Sequence, residues 1–422
     1  MYYAINCMKS QATVSPHRLN TISLSKANNF IFSKPSSPLK ILIIITQGVW
    51  GGAQRYVLDL ATELSKHHQV TVAIGEITGA KNLQEKLRPY SQIQLIQLKH
   101  LQRAISPFHD ILTFFELRRL YKKIKPDIVH LNSTKASIIG SLAKPLFQNH
   151  FPKIVYTVHG WIFLEPLAPF TKFFFQFLEK ITAHCKDALI LLSPEEKHIG
   201  IQKLHLKKSK LHIIPLGISS PPPLSQTEAR KKIENITHQS YEETQWVGTI
   251  AGLYKTKGLE TLLFALTTNE ELKKNHYFII GEGPERSELE KIITKNNLQK
   301  NVTLTGHINN AAELLTAFDL FVLPSKKEGL PYVLLEAMQI NIPIVATTVG
   351  GVPSLLSSYP QATLVPPQSN EKLSLAILLA LASSANHRQF SLSSLFSLTS
   401  MTTSTLSLYY SLLPHSKPFE SY

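Results

Sequence analysis

The chain has 422 residues, of which 43% are hydrophobic and 17% charged, a globular composition too apolar for a disordered chain and too polar for a polytopic membrane protein. Its two cysteines, Cys7 and Cys185, exclude a disulfide framework and a thiolate zinc site, and no apolar run approaches the roughly 18 residues of a membrane helix. Net charge is +15, from 44 basic and 29 acidic residues, which suits an anionic partner or, equally, lysine-rich solvated faces.

Residues 1–38 carry no acid and many Ser, Asn and Lys. They read as a disordered basic extension or, on the same composition, a transit peptide; no continuous apolar stretch supports a secretory signal. From Lys40 the pattern becomes regular. Lys40-Ile-Leu-Ile-Ile-Ile-Thr46 is a short, continuously apolar run rich in β-branched residues, the mark of a strand buried on both faces. A turn with Gly48, Gly51 and Gly52 follows, then Ala53, Tyr56, Val57, Leu60, Ala61 and Leu64 on one helical face. Further strands at 69–74, 92–98, 127–131, 153–158, 188–192 and 211–214 alternate with helices, which predicts a parallel α/β sheet covered on both sides. Residues 217–245, with Pro221, Pro222 and Pro223 and one short helix candidate, read as an inter-domain linker. Alternation restarts at 247–253 and continues through strands at 277–280, 302–304, 320–323, 344–347 and 363–365. The expected architecture is α/β, with two Rossmann-like doubly wound domains, 39–216 and 246–390, facing a cleft. Ligands in such sheets bind outside the carboxyl ends of the strands. In 391–422, Leu398, Met401, Leu408 and Leu412 share a helical face interrupted at Thr405, so a C-terminal helix is expected to pack back on the first domain.

The strongest chemical signal is Pro324-Ser-Lys-Lys-Glu328-Gly329-Leu330-Pro331-Tyr-Val-Leu-Leu-Glu336. A buried strand ends there in a polar loop and a helix begins near Pro331, so free backbone N–H groups and the helix dipole suit a phosphate or sugar oxygen. Glu328 and Glu336 are able to accept hydrogen bonds from vicinal hydroxyls; on spacing alone they read more simply as a helix-end acid and a solvated glutamate. Lys255 and Lys257 lie between a strand and a helix in Gly248-Thr-Ile-Ala-Gly252-Leu-Tyr-Lys255-Thr-Lys257, where a lysine is a mobile cation for a diphosphate or one more surface charge. The turn Gly48-Val-Trp-Gly51-Gly52-Ala-Gln-Arg55 lets the backbone approach a ligand closely, yet it is neither Gly-x-Gly-x-x-Gly nor a P-loop. His159, in Tyr156-Thr-Val-His159-Gly160-Trp161, either bonds a substrate hydroxyl or sits satisfied in the cleft wall. The five aspartates, Asp59, Asp110, Asp127, Asp187 and Asp319, are never within two positions of each other, so an Asp-x-Asp holder for Mg2+ or Mn2+ is absent.

As a set these residues resemble the retaining glycosyltransferases of family 4, which have the GT-B fold. The resemblance runs from about Lys40 to about Leu413. Its most specific part is Glu-x7-Glu, here Glu328 to Glu336, followed by Pro343-Ile-Val-Ala-Thr-Thr-Val-Gly350-Gly351-Val-Pro353. Ile214-Pro-Leu-Gly-Ile218, Ile280-Gly-Glu-Gly283-Pro284, Gly306 and Leu364-Val-Pro-Pro367 accompany it. The resemblance implies a C-terminal domain that binds a nucleotide sugar and an N-terminal domain that binds the acceptor. It implies a catalytic set of Lys257, neutralising the diphosphate leaving group, Glu328, contacting the donor hexose, and His159, near the transferred sugar. Glu336 would hold the ribose, and amides around Gly329, Leu330 and Pro331 would meet sugar and diphosphate. Lys255, Gly283 and Gly52 complete the implied donor site, with Gly52 in the turn beneath the phosphates. Neither metal nor cofactor is implied, the nucleotide sugar being a substrate. Three positions depart from the pattern: Gly252 stands where an arginine is usual, Leu216 where an asparagine is, and Ser354 where an acid is.

The expected function is transfer of a hexose-type sugar, with retention and without metal, to a hydroxyl of a lipid-linked or polysaccharide acceptor. Its expected place is the cytoplasm, peripheral to the inner face of the membrane. Residues 161–186 bear on this: Phe163, Phe170, Phe173, Phe174, Phe175 and Phe177 with Lys172, Lys180 and Lys186 make a basic aromatic helix, which either rests on an anionic bilayer or packs in the core. Two rivals keep the fold, a sugar-nucleotide epimerase or hydrolase and a degenerate nucleotide-binding subunit suggested by Gly252. A nucleic-acid binder rests on charge alone, with no recognition motif, and no nucleic-acid partner is expected.

Overall fold

Ile41, Ile43 and Ile45 of the first strand pack on one side of a sheet and Leu42 and Ile44 on the other, and all five are buried. An unbroken apolar run demands this, because a strand with no solvent side needs helices on both faces. The computed structural model describes residues 37–76, 83–144, 151–219, 223–241, 244–383 and 390–414; of the expected extension at 1–38, residues 1–36 lie outside them. Seven parallel strands form the first sheet: β1 (Lys40–Gln47), β2 (Gln69–Glu76), β3 (Ile93–Gln97), β4 (Ile128–Leu131), β5 (Lys153–Val158), β6 (Ala188–Leu191) and β7 (Leu211–Ile213). Their spatial order is β3-β2-β1-β4-β5-β6-β7. Helices α1 (Gly52–Leu64) and α2 (Leu83–Leu87) cover one face. On the other lie α3 (Pro107–Ile124), α4 (Thr134–Leu142), α5 (Pro169–Thr182) and α6 (Pro194–Leu204).

Helix α7 (Gln226–Thr237) falls within the expected connecting stretch and begins at a capping box of Ser225 and Glu228. It lies on the second domain, with Ala229 and Ile233 buried and Arg230 donating to the Ala317 carbonyl at 3.0 Å and to Asp319 at 2.8 Å. The second sheet has six parallel strands, β8 (Trp246–Ile250), β9 (His276–Ile280), β10 (Val302–Gly306), β11 (Leu320–Leu323), β12 (Ile344–Thr347) and β13 (Ala362–Val365), in the order β10-β9-β8-β11-β12-β13. Its helices are α8 (Leu259–Thr267), α9 (Arg286–Lys295), α10 (Tyr332–Gln339), α11 (Val352–Leu356) and α12 (Asn370–Ala382). In each sheet the strand order reverses once, between β1 and β4 and between β8 and β11, and these switch points open the crevices where such folds bind ligands.

Helix α13 (Leu398–Leu412) returns to the first domain, where Tyr409 Oη lies 2.5 Å from His130 Nδ1 and Tyr410 Oη 3.3 Å from His68 Nε2. Its buried face is Met401, Thr402, Thr405, Leu408 and Tyr409, with Leu398 and Leu412 only half-buried. Thr405 therefore lies at the centre of the packed face instead of interrupting it. Its hydroxyl donates to the Met401 carbonyl at 2.8 Å, so the side chain buries with its polar group satisfied inside its own helix. The aromatic stretch divides. Trp161 and Phe163 are buried and stacked, centroids 5.6 Å apart, whereas Phe170, Phe173, Phe174 and Phe177 of α5 stand in solvent. Core packing does not account for these four. Among the described residues no helix is long and apolar enough to cross a membrane.

Candidate active site

Two loops at the switch point of the second sheet bring the motif residues together. After β8 a single turn, Lys255–Lys257, leads into α8; after β11 the loop 324–331 leads into α10, with Pro331 as its cap. Lys257 Nζ donates to both carboxylate oxygens of Glu328, at 2.7 and 2.9 Å, and Ser325 Oγ donates to the same carboxylate at 2.6 Å. Glu328 is thereby held by two donors at a side chain only 7% exposed. An ammonium has three N–H donors and Glu328 takes two, so Lys257 retains one for an incoming anion. Gly350, at φ 53°, braces the loop from behind: a Cβ there would stand 1.9 Å from the Glu328 carbonyl, which only glycine avoids. The Gly351 N–H donates to the Gly329 carbonyl at 2.8 Å.

The first domain closes over this loop. Gly52 opens α1 opposite the Tyr332 ring. One turn later Arg55 spans the cleft, its guanidinium bonded to Glu336 and lying 4.4 Å from the centroid of the Tyr332 ring. Arg55 also sits 3.6 Å from Asp59, whose carboxyl burial pushes up to about 6. Glu336 is thus already met by a cation from the facing domain. His159, at the end of β5, is half-buried, with Nε2 3.5 Å from Asn132 Oδ1 and its ring edge-on to Tyr56 at 5.0 Å. Loss of water pushes its pKa down to about 3, so the imidazole is neutral at physiological pH. Behind it His130 bonds Tyr409 of α13 and Thr157 Oγ1, the latter at 2.7 Å.

Three more contacts cross the cleft. Lys327 pairs with Glu165. Ser354 Oγ donates to Glu195 at 2.8 Å, so where the resemblance has an acid, this chain has a hydroxyl facing an acid from the other domain. A Cβ on Gly329 would lie 3.2 Å from Glu196 Oε1 and 3.4 Å from the Gly160 nitrogen. Glu196, buried at the start of α6, accepts from the Leu192 N–H at 2.9 Å through Oε2, and the Gly160 N–H also helps hold its carboxylate. Burial raises its pKa to about 7. The folded chain therefore keeps a proton that the unfolded chain has released, so this group's contribution improves as pH falls from 7 towards 4.5. Glu196→Gln is expected to stabilise the protein more at about pH 8 than at about pH 5, by up to roughly 3 kcal/mol. Urea unfolding of both proteins at the two pH values checks this; equal differences would place the carboxyl in water.

The structure brings Lys257, Glu328, Gly329, Leu330 and Pro331 into one loop pair, with Glu336 a little further along α10 and His159 across the cleft. Lys255, two residues ahead of Lys257, lines a groove of about 450 Å³ with Lys326, Glu260 and Tyr254. Gly283 packs beneath the β8 loop, where a Cβ would stand 2.4 Å from the Leu253 carbonyl. A side chain at Gly252 would meet the Tyr254 ring at 2.9 Å, so an arginine there needs Tyr254 displaced. The sequence by itself assigns no role to Arg55, Ser325, Tyr332 or Glu196. Ser325, three residues ahead of Glu328, and Arg55, inside the glycine turn, were in view as neighbours of motifs. Glu196 offered no local signal beyond the Ser-x-x-Glu spacing of a helix cap.

Comparison with known proteins agrees with this geometry. The family model described as glycosyltransferase family 4 matches residues 50–220, and that of glycosyl transferases group 1 matches residues 230–392. The chain is 32% identical over 260 residues to the UDP-Gal:alpha-D-GlcNAc-diphosphoundecaprenol alpha-1,3-galactosyltransferase of Escherichia coli, covering 60% of this chain and 65% of that one. It is 25% identical over 274 residues to the capsular polysaccharide biosynthesis glycosyltransferase CapM of Staphylococcus aureus, covering 63% and 70%. Among solved structures, Anabaena HepE in complex with UDP and glucose superposes with a TM-score of 0.70 at 19% identity, over 88% of this chain and 99% of the other. The sucrose-phosphate synthase of Thermosynechococcus elongatus does so at 0.72 and 20%, over 89% and 99%. With two parallel sheets facing a cleft that gathers the Glu-x7-Glu motif and its lysine, the chain belongs to the family 4 glycosyltransferases of GT-B fold.

Proposed function

We propose that the protein transfers a hexose-type sugar from a nucleotide sugar to a hydroxyl of a lipid-linked or polysaccharide acceptor, with retention and without a metal. The observation that carries this reading is the clasp of Lys257 on Glu328, set between the amides of Gly329 and Leu330 and the neutral His159 of the facing domain. When the donor enters, Lys257 turns its remaining N–H to the diphosphate, and Glu328 accepts from hydroxyls of the hexose. Glu336 shares the ribose with Arg55. The bond from the anomeric carbon to the phosphate oxygen breaks while the acceptor oxygen bonds that carbon on the same face. The acceptor's proton leaves on the departing phosphate. His159 is uncharged and offers a hydrogen bond to the sugar rather than a second cation. Stabilising the charge that grows on the diphosphate is the protein's main contribution. The names of the Escherichia coli and Staphylococcus aureus relatives, one acting on a diphosphoundecaprenol sugar and one in capsule synthesis, support an acceptor of the cell envelope.

The test is a thermal-shift and turnover screen of UDP-, GDP- and ADP-sugars on wild type and Glu328→Ala. One nucleotide class should stabilise the wild type, and slow donor hydrolysis should be lost in the variant and unchanged by EDTA. Binding without turnover, even with membrane extract as acceptor, would favour a degenerate subunit instead. Loss of turnover in EDTA would overturn metal independence.

A further inference from the structure

Among the described residues no element covers the outer side of the helical layer α3–α4–α5, and that side is apolar. On α5, Phe170, Phe173, Phe174, Phe177 and Ile181 fall at i, i+3, i+4, i+7 and i+11, one face of the helix, and all are exposed, Phe170 at 79% and Phe173 at 67%. On α3, Phe108, Ile111 and Phe115 do the same, Phe108 at 69%. Solvated monomer surfaces rarely gather so many large apolar groups.

The charges around this face are of one sign. Each acid on the two helices is engaged within the protein: Glu179 is buried against Lys186, Asp110 pairs with Lys135 of α4, and Glu116 accepts from the backbone N–H groups of Lys99 and His100 at 2.9 and 3.3 Å. What α5 and α3 expose is Lys180, Arg119, Lys122 and Lys123, with Lys172 and Arg118 half-buried. Phenyl rings beside cations suit the boundary between acyl chains and anionic headgroups. A second copy suits them poorly, because a twofold contact would set these cations against their own images.

We infer that this face docks on an anionic lipid bilayer and holds the cleft at its surface. In a parallel sheet each helix starts near the carboxyl end of the preceding strand, the end that faces the cleft. The exposed aromatics sit in the N-terminal half of α3 and from the first residues of α5 onwards, while the cations of α3 lie at its far end. Insertion of the aromatics therefore brings the mouth of the cleft to the headgroups, where a lipid-linked hydroxyl is presented. The inference deepens the acceptor reading above and rests on it for this consequence.

Co-sedimentation of the full chain with vesicles of phosphatidylethanolamine and phosphatidylglycerol, and with vesicles of phosphatidylcholine alone, tests it. The wild type should pellet with the anionic vesicles and far less with the neutral ones. Phe173→Glu/Phe177→Glu should lower partitioning at least about 30-fold, with melting temperature and donor hydrolysis unchanged because both positions are exposed and outside the cleft. Lys172→Glu/Lys180→Glu should lower it about 10-fold, an effect that high salt reproduces. A wild type that stays in the supernatant, or a phenylalanine variant that still pellets, overturns the inference. So does self-association in sedimentation velocity that this variant abolishes without any vesicle binding, which would make a second copy the occupant. Vesicle binding as expected with no turnover of any nucleotide sugar would leave the docking face standing and sink the proposed function; turnover without vesicle binding does the reverse.

Discussion

Lys257→Ala is expected to lower kcat for nucleotide-sugar turnover about 100- to 1,000-fold, with a smaller change in KM. The asymmetry follows from when the charge appears. In the resting protein the ammonium is balanced by Glu328 at 2.7 and 2.9 Å, and a bound diphosphate already carries most of its charge in water. The additional negative charge develops only as the anomeric bond breaks. A cation held within reach at that moment stabilises the transition state more than the ground state. The variant also leaves Glu328, 7% exposed, with Ser325 as its remaining side-chain donor, so part of its loss is a misplaced carboxylate. Lys257→Ala/Glu328→Gln separates the two effects, since it should recover melting temperature and recover no activity. Lys257→Arg keeps the charge but not its shape, as a planar fork does not fit where a compact ammonium meets two oxygens, and an intermediate loss of about tenfold is expected. Steady-state kinetics on the preferred donor decide the matter; a kcat for Lys257→Ala within about threefold of wild type would remove Lys257 from the mechanism.

The part of the site legible in the sequence is the part made by one short segment. Glu328, Gly329 and Pro331 lie between a strand and a helix that both announce themselves by period, and Lys257 stands in the equivalent gap after β8, the strand beside β11 in the sheet. The strands were legible for the same reason, since a run such as Ile41 to Ile45 buried on both faces leaves no polar alternation to confuse it. What was not legible joins distant segments. Arg55 reaches Glu336 across 281 positions, Lys327 reaches Glu165 across 162, and Ser354 reaches Glu195 across 159. No local pattern encodes such pairs, because each partner taken alone is an ordinary polar side chain near the end of an element. Two further positions mislead on pattern. Thr405 looks like a break in an apolar face but satisfies its own hydroxyl and buries. The phenylalanines of α5 have the period of a core helix, and only the structure shows that Trp161, Phe163 and Phe175 on neighbouring turns already occupy the inner side.

The largest stability effect is expected at Lys186, far from the chemistry. Its side chain is wholly buried, and its ammonium donates to Glu179 Oε2 and to Thr182 Oγ1, both at 3.1 Å, while lying 4.8 Å from the centroid of the Tyr156 ring. Burial pulls its pKa down and Glu179 pulls it back up. Two charges desolvated together gain little over an apolar pair of the same volume, but removing one strands the other. Lys186→Met should therefore cost about 3–5 kcal/mol, a large share of the roughly 5–15 kcal/mol by which a domain is stable. The cost is that of a buried carboxylate left without its cation. Lys186→Met/Glu179→Leu should recover most of the loss at neutral pH. Urea unfolding of wild type, single and double variants measures all three quantities; a single variant within about 1 kcal/mol of wild type, or a double variant no better than the single, would show that the pair is hydrated. The pair ties α5 to the segment leading into β6, with Glu179 on the inner side of the same helix that carries Phe173 and Phe177 outward. An α5 loosened by Lys186→Met should then lose vesicle binding along with stability, whereas Phe173→Glu/Phe177→Glu loses vesicle binding alone.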